Sequence, residues 1–300
     1  MIISASRRTD IPAFYSRWFI NRVREGWCEV PHPFNREQVS RISLLPQGLD
    51  CIVFWTRNPR PLFPYLRELN ERGFHYYFQY TVLNNPRELD SGTPSLPVSI
   101  KTFRELAGRI GAERVIWRYD PIVFSSITTA AFHRDTYERI ARALRGCTRR
   151  SVVSIVDFYP RIGGRLNELE REGITFIRGE ELRGSWFDDC MASLARSAQK
   201  NGMEIVSCSE GIDLTPYGIT PGKCIDDQLI RRVFGIEVKG RKDPGQRRLC
   251  HCVLSRDIGV YDTCTFGCRY CYATASFQRA AENYRRHNPA AASLIPPGKI

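Results

Sequence analysis

The run Cys51-Ile52-Val53-Phe54-Trp55-Thr56, then Leu62, Leu66 and Leu69 ahead of Gly73, then His75-Tyr76-Tyr77-Phe78-Gln79-Tyr80-Thr81-Val82, sets the fold class. A short apolar and aromatic run gives way to helical spacing, a glycine stop and a second such run. Alternation of this kind argues for a parallel sheet, because each crossover helix returns the chain to the same end. Similar runs predict strands near 2–6, 114–119, 152–158, 203–207 and 258–262. Helical spacing joins them. Phe14, Trp18 and Val23 follow Asp10 as a cap and end at Gly26. Phe103, Leu106, Ala107 and Ile110 precede Gly111, and Tyr137, Ile140, Ala141 and Leu144 precede Gly146. Phe187, Met191, Leu194, Ala195 and Ala198 precede Asn201-Gly202, and a last helix runs from Thr274 to His287. Seven strands with single crossovers predict an α/β fold, a partial or full parallel (β/α) barrel of TIM-barrel type. An open doubly wound sheet is the other reading.

Segment 208–257 breaks the rhythm with Thr215-Pro216-Tyr217-Gly218, Pro221-Gly222 and Asp243-Pro244-Gly245. The expected organisation is a barrel body over 1–207 and an irregular, cysteine-bearing insert over 208–257. A last strand, loop and helix over 258–288 complete the barrel, and 289–300 form a frayed tail. Gly163-Gly164 reads as a flexible loop.

The 300 residues are 42% apolar and 25% charged, which excludes a disordered, collagen-like or coiled-coil chain. No apolar run approaches the ~18 residues of a membrane span. Met1 to Arg8 lacks the apolar core of a signal peptide, so the cytoplasm is the expected compartment and no membrane partner is expected. Lys and Arg number 44 against 32 Asp and Glu, a net charge of +12. Residues 231–300 hold 13 of the former and 5 of the latter, so 13 − 5 = +8 lies there. Arg241-Lys242 and Arg247-Arg248, with Tyr261, Tyr270 and Tyr272, make nucleic acid a candidate partner through its phosphates. A basic surface that only keeps the fold soluble is the plainer reading.

Eleven cysteines are the unusual entry, and seven lie between 208 and 271. Chain size and the odd count exclude a small disulfide scaffold, so clustered thiols read as metal ligands or catalysts. Cys264, Cys268 and Cys271 form C-x3-C-x2-C, with Gly267 for a tight turn. Three thiolates can hold three irons of a cubane cluster and leave the fourth open, whereas four saturate it. A zinc site completed by Cys250 or Cys252 competes with this reading. Cys208, Cys224, Cys250 and Cys252 make a second set, for a second iron–sulfur cluster or zinc. Cys250 and Cys252 point the same way in an extended segment, and His251 points away. Cys28, Cys51, Cys147 and Cys190 read as small buried hydrophobes. The five histidines show no metal spacing.

The C-x3-C-x-aromatic-C pattern, with Tyr270 at the aromatic position, resembles the signature of the radical S-adenosylmethionine superfamily. Cys268-Arg269-Tyr270-Cys271-Tyr272-Ala273 is similar to its spore photoproduct lyase branch. So are Val53-Phe54-Trp55-Thr56-Arg57-Asn58-Pro59, Tyr80-Thr81-Val82-Leu83-Asn84 and Arg118-Tyr119-Asp120-Pro121-Ile122-Val123. The chain as a whole resembles domain-of-unknown-function family 1848, which has this C-terminal cysteine cluster. The superfamily resemblance implies a 4Fe–4S cluster on Cys264, Cys268 and Cys271. It also implies S-adenosylmethionine on the open iron, an external electron donor and hydrogen abstraction by a 5′-deoxyadenosyl radical. In that superfamily the cysteine loop follows the first strand, and here it follows the last. A circular permutation accounts for this, and it requires strand 258–262 to lie beside strand 2–6. Strand ends offer Arg7, Arg8, Asp10, Arg57, Asn58, Arg118, Asp120 and Asp157 to grip the cofactor carboxylate and ribose. Arg57, Asn58, Arg118 and Asp120, with Tyr270, lead because they fall in the resembling segments. The alternative is a non-catalytic zinc or iron–sulfur protein that binds nucleic acid.

Overall fold

The computed structural model describes residues 1–33, 35 and 38–295. Ten strands appear among them: β1 (Ile2–Ala5), β2 (Trp27–Pro31), β3 (Val39–Ser43), β4 (Cys51–Thr56), β5 (Tyr76–Thr81), β6 (Val115–Ile122), β7 (Arg150–Ile155), β8 (Glu204–Ser207), β9 (Thr220–Pro221) and β10 (Arg256–Asp257). Nine α-helices accompany them: α1 (Ile11–Phe14), α2 (Ser16–Glu25), α3 (Leu66–Glu71), α4 (Leu96–Ile110), α5 (Ala130–Ala143), α6 (Pro160–Arg171), α7 (Ser185–Lys200), α8 (Asp227–Phe234) and α9 (Phe277–Arg286).

Eight strands form one sheet in the order β10-β1-β4-β5-β6-β7-β8-β9, and every neighbouring pair is parallel. Helices flank it, so the α/β reading holds. No ladder joins β9 to β10 among the described residues. In β1, β4, β5, β7 and β8 successive side chains turn to two buried faces, which is why these central strands are mostly apolar. Phe54, Phe78, Trp117 and Val153 pack against Trp18 and Phe19 of α2, Phe103 and Leu106 of α4, Tyr137 and Ile140 of α5, and Phe187 and Leu194 of α7. Val53, Tyr77, Ile116, Val152 and Val206 face the other way. They are covered by Ile225, Leu229, Ile230 and Val253.

The segment read as an irregular insert therefore carries β9, α8 and β10, and its apolar residues form the second covering layer. Asp226 caps α8 by accepting from the Gln228 and Leu229 amides. Its carboxylate also meets Arg150 of β7 at 2.7 Å, which ties that layer to the sheet. Gly222 allows the close approach, since a Cβ there would lie 2.5 Å from Val206 Cγ2.

The strand expected at 258–262 lies instead at 256–257. It pairs beside β1, with Ile3 opposite Arg256 and Ser4 opposite Asp257. The Asp257 carboxylate stitches the two together, accepting from Ser4 Oγ and Ser6 Oγ at 2.6 Å and from the Arg7 amide at 2.9 Å. Gly259 then passes where a Cβ would meet Ser6 Oγ at 2.0 Å.

Three further expectations are corrected. Gly163-Gly164 lies inside α6, because Ile162, Leu166 and Leu169 bury one continuous face. The helix after Asp10 breaks at Tyr15 into α1 and α2. The described part of the tail is anchored: Trp18 Nε1 donates to Ala291 O at 3.0 Å, and Leu294 is fully buried. Residues 296–300 lie outside the described residues. The hairpin β2–β3 was not anticipated. No helix among the described residues is long and apolar enough to cross a membrane.

Candidate metal centres at the sheet's carboxyl edge and inner face

In a parallel sheet the carboxyl ends of the strands share one edge, and the connections there can converge. The 264–271 loop lies at that edge, directly after β10. Its start is pinned to α9. Asp262 holds a positive φ of 57°, and its carboxylate accepts from the Ala275 and Ser276 amides. Asn283 Nδ2 donates to Asp262 O at 2.7 Å. Tyr15 OH donates to Thr263 O at 2.6 Å, and the Phe266 ring packs tilted against Phe14 at 4.6 Å. Gly267 turns with φ 72°, where a Cβ would meet Ser91 Oγ at 2.5 Å.

Tyr270 is the internal anchor of this loop. Its phenol donates to Asp90 at 2.7 Å and accepts from Arg57 Nη2 at 2.5 Å and Asn85 Nδ2 at 3.3 Å. Arg57 also pairs with Asp90 at 3.0 Å. Its amide donates to Asp10 at 2.6 Å. Arg57, read from sequence as a cofactor grip, is thus committed to a buried Arg57–Asp90–Tyr270 clamp under the loop. Burial pushes the Asp10 carboxyl up to about 7, against the lowering pull of the Arg57 and Ala13 amides. Asn58 accepts from the Arg60 amide at 3.2 Å, a local turn contact.

Cys264, Cys268 and Cys271 lie near enough to influence one another's ionisation. Burial pushes the Cys264 and Cys268 thiols up, and Arg57 opposes the rise at both. A second cation stands beside them. Arg165 Nη2 donates to Cys271 O at 2.7 Å. Its Nε and Nη1 are buried with no hydrogen-bond partner. Burial lowers its pKa, and the neighbouring thiols of Cys271 and Cys268 work against that. Unpaired buried donors are costly, so this place suits an anion. Thiolates carrying a metal cluster supply that charge, and the loop residues fit such a group.

The other sequence-predicted residues gather elsewhere. Cys208, at the end of β8, points to the inner face of the sheet, and its Sγ lies 3.1 Å from Cys224 Sγ. Arg118 Nη1 donates to Cys224 Sγ at 2.8 Å and Gln79 Oε1 at 3.3 Å. The same guanidinium pairs with Asp120, which also accepts from Ser154 Oγ. Arg118 and Asp120 therefore belong with the four-cysteine set and not with the loop. Between the two sets lie Arg7 and Tyr272, joined by a 3.1 Å bond from Tyr272 OH to Arg7 O. Tyr272 packs against Tyr159 at 5.7 Å. It keeps 41% of its surface exposed, yet burial still drives its phenol pKa up.

Sequence reasoning missed Asp90, Asn85 and Arg165. They come from the β5–α4 connection and α6, and no spacing links them to the cysteines. Cys28, Cys51 and Cys190 are buried in the apolar core as expected, and Cys147 is half-buried. A depression of about 590 Å³ lined by Asn84, Leu96, Ile100, Lys101, Arg104 and Arg139 touches no cysteine. Among the described residues, no three His, Cys, Asp or Glu side chains close around a single ion-sized point.

A family model described as Domain of unknown function (DUF1848) matches residues 2–273, and the chain belongs to that family. No curated protein and no solved structure matches it.

Proposed function

We propose that the chain is an iron–sulfur enzyme of the radical S-adenosylmethionine type, built on a partial (β/α) barrel whose cysteine loop follows the last strand. One observation carries this reading. Three cysteines sit on a single pinned loop at the carboxyl edge of a parallel sheet, directly after a strand paired with β1. Cys264, Cys268 and Cys271 would hold a 4Fe–4S cluster with one iron left for S-adenosylmethionine. When bound and reduced by an external donor, the cluster supplies the electron that cleaves S-adenosylmethionine to a 5′-deoxyadenosyl radical.

The chain's own residues prepare the place. The Arg57–Asp90–Tyr270 clamp fixes the loop from below. Arg165 brings a buried positive charge to the thiols, and α6 and α9 wall the loop on the outside. Tyr159, Tyr272 and Arg7 cluster beside Cys271. Arg8 and Arg161 both lie over the Tyr261 ring, at 5.3 and 5.2 Å, on the same edge. That cationic and aromatic surface suits an anionic substrate, nucleic acid among them.

Anaerobic purification and reconstitution test the reading. The protein should release 5′-deoxyadenosine when given dithionite and S-adenosylmethionine, and C264A/C268A/C271A should release none. A reconstituted protein that carries iron on this loop but never cleaves the cofactor would overturn it.

A further inference from the structure

We propose that Cys208, Cys224, Cys250 and Cys252 are the four ligands of a second iron–sulfur cluster, held against the inner face of the sheet. Three separate segments deliver these thiols: the end of β8, the stretch after β9 and the strap that leads to β10. They meet as a continuous string. Cys208 Sγ lies 3.1 Å from Cys224 Sγ, and Cys252 lies near enough to both Cys224 and Cys250 to influence their ionisation.

The surroundings differ from those of the lone buried cysteines. Cys51 and Cys190 donate weakly to carbonyls at 3.6 and 3.7 Å, as small hydrophobes do. In the four-cysteine set two of the sulfurs, those of Cys224 and Cys252, accept. Arg118 donates to Cys224 at 2.8 Å and also reaches Cys208. The Ile225 amide donates to Cys252 at 3.3 Å, and the Arg7 charge acts on the same thiol. Arg7 Nη2 remains buried without a partner. Two guanidinium groups and an amide aimed at buried sulfur are what anionic, metal-bound thiolates require.

Zinc needs four sulfurs at about 2.3 Å from one point. A cubane instead offers four irons to four separate thiolates, so these thiols must open outward to take one. With four ligands the cluster is saturated, so it has no open iron for a cofactor.

Iron counting separates this proposal from the loop reading. Three proteins are purified anaerobically and reconstituted with iron and sulfide: wild type, C264A/C268A/C271A and C208A/C252A. About eight, four and four irons per chain are expected, with matching sulfide and absorption near 400 nm. A triple variant without iron, or with one zinc in place of iron, overturns the second cluster and leaves the loop reading standing. About four irons in both the wild type and the triple variant supports the second cluster and defeats the loop reading. Should C208A/C252A fail to fold by circular dichroism, Cys250→Ser in the triple variant serves instead. Its paramagnetic spectrum after reduction should change, and an unchanged spectrum overturns the proposal.

Discussion

The two thiol sets are built on opposite plans. The 264–271 loop gathers three cysteines within eight residues, so its geometry is local, and distant residues brace it from outside. The 208/224/250/252 set gathers four cysteines over 45 residues, so its geometry is tertiary, and it exists only once the inner layer has docked on the sheet. A local site needs a clamp to hold its orientation, and here that clamp is Arg57–Asp90–Tyr270. A tertiary site needs its segments nailed down, and Asp226–Arg150 does this.

The largest effect expected from this contrast is at Asp90. It is 2% exposed and serves Tyr270, Arg57 and Asn85. Asp90→Ala strands the Arg57 cation, and removing one partner of a buried pair costs about 3–5 kcal/mol. The urea midpoint should fall accordingly, and iron on the loop should be retained about 10–100-fold less well. Iron on the four-cysteine set should persist. Equal loss at both sets would erase the distinction.

A smaller effect concerns thiol ionisation in metal-free protein. The hydrogen bond from Cys224 and the Arg118 charge together bring Cys208 down to about 7, against the penalty of burial. Burial pushes Cys264 above its ordinary 9.0. The thiolate is the nucleophile, so the iodoacetamide labelling rate at Cys208 should rise through pH 7. Cys264 should stay slow through pH 9. Peptide mapping by mass spectrometry reads both, and the reverse order would break the comparison.

The smallest is at Asn58. Its side chain caps one turn, so Asn58→Ala should cost about 0.5–1.5 kcal/mol. It should leave iron content and the KM for S-adenosylmethionine unchanged. A raised KM would return Asn58 to the cofactor role its position in sequence suggested.

Much of the sheet was legible because strands buried on both faces read as apolar runs. β10 was displaced by two residues. Ile258 and Val260 carry the apolar pattern, while the paired residues Arg256 and Asp257 are charged. Asp257 binds through its carboxylate, which no hydrophobic pattern registers. α6 was hidden by Gly163-Gly164, whose helix cost is real but was outweighed by burial of Ile162, Leu166 and Leu169. The spacing of the loop cysteines was legible because all three lie within eight residues of one another. The clamp was not, since Asp90 and Tyr270 are 180 positions apart and only the fold joins them. Arg57 was visible as a strand-end cation, but the carboxylate that occupies it was not.

The parallel pairing of β10 with β1 also orders the protein's biogenesis. β1 is made well before its outer neighbour, which is about 250 residues behind. At roughly 5–20 residues per second, that edge stays open for about 13–50 s of translation. An unpaired edge strand recruits the wrong partners. The segment that seals it is the one that leads straight into Cys264. Sheet completion and delivery of the loop thiols are therefore nearly one event, so a nascent chain stalled before residue 256 should be both aggregation-prone and unable to load iron at the loop.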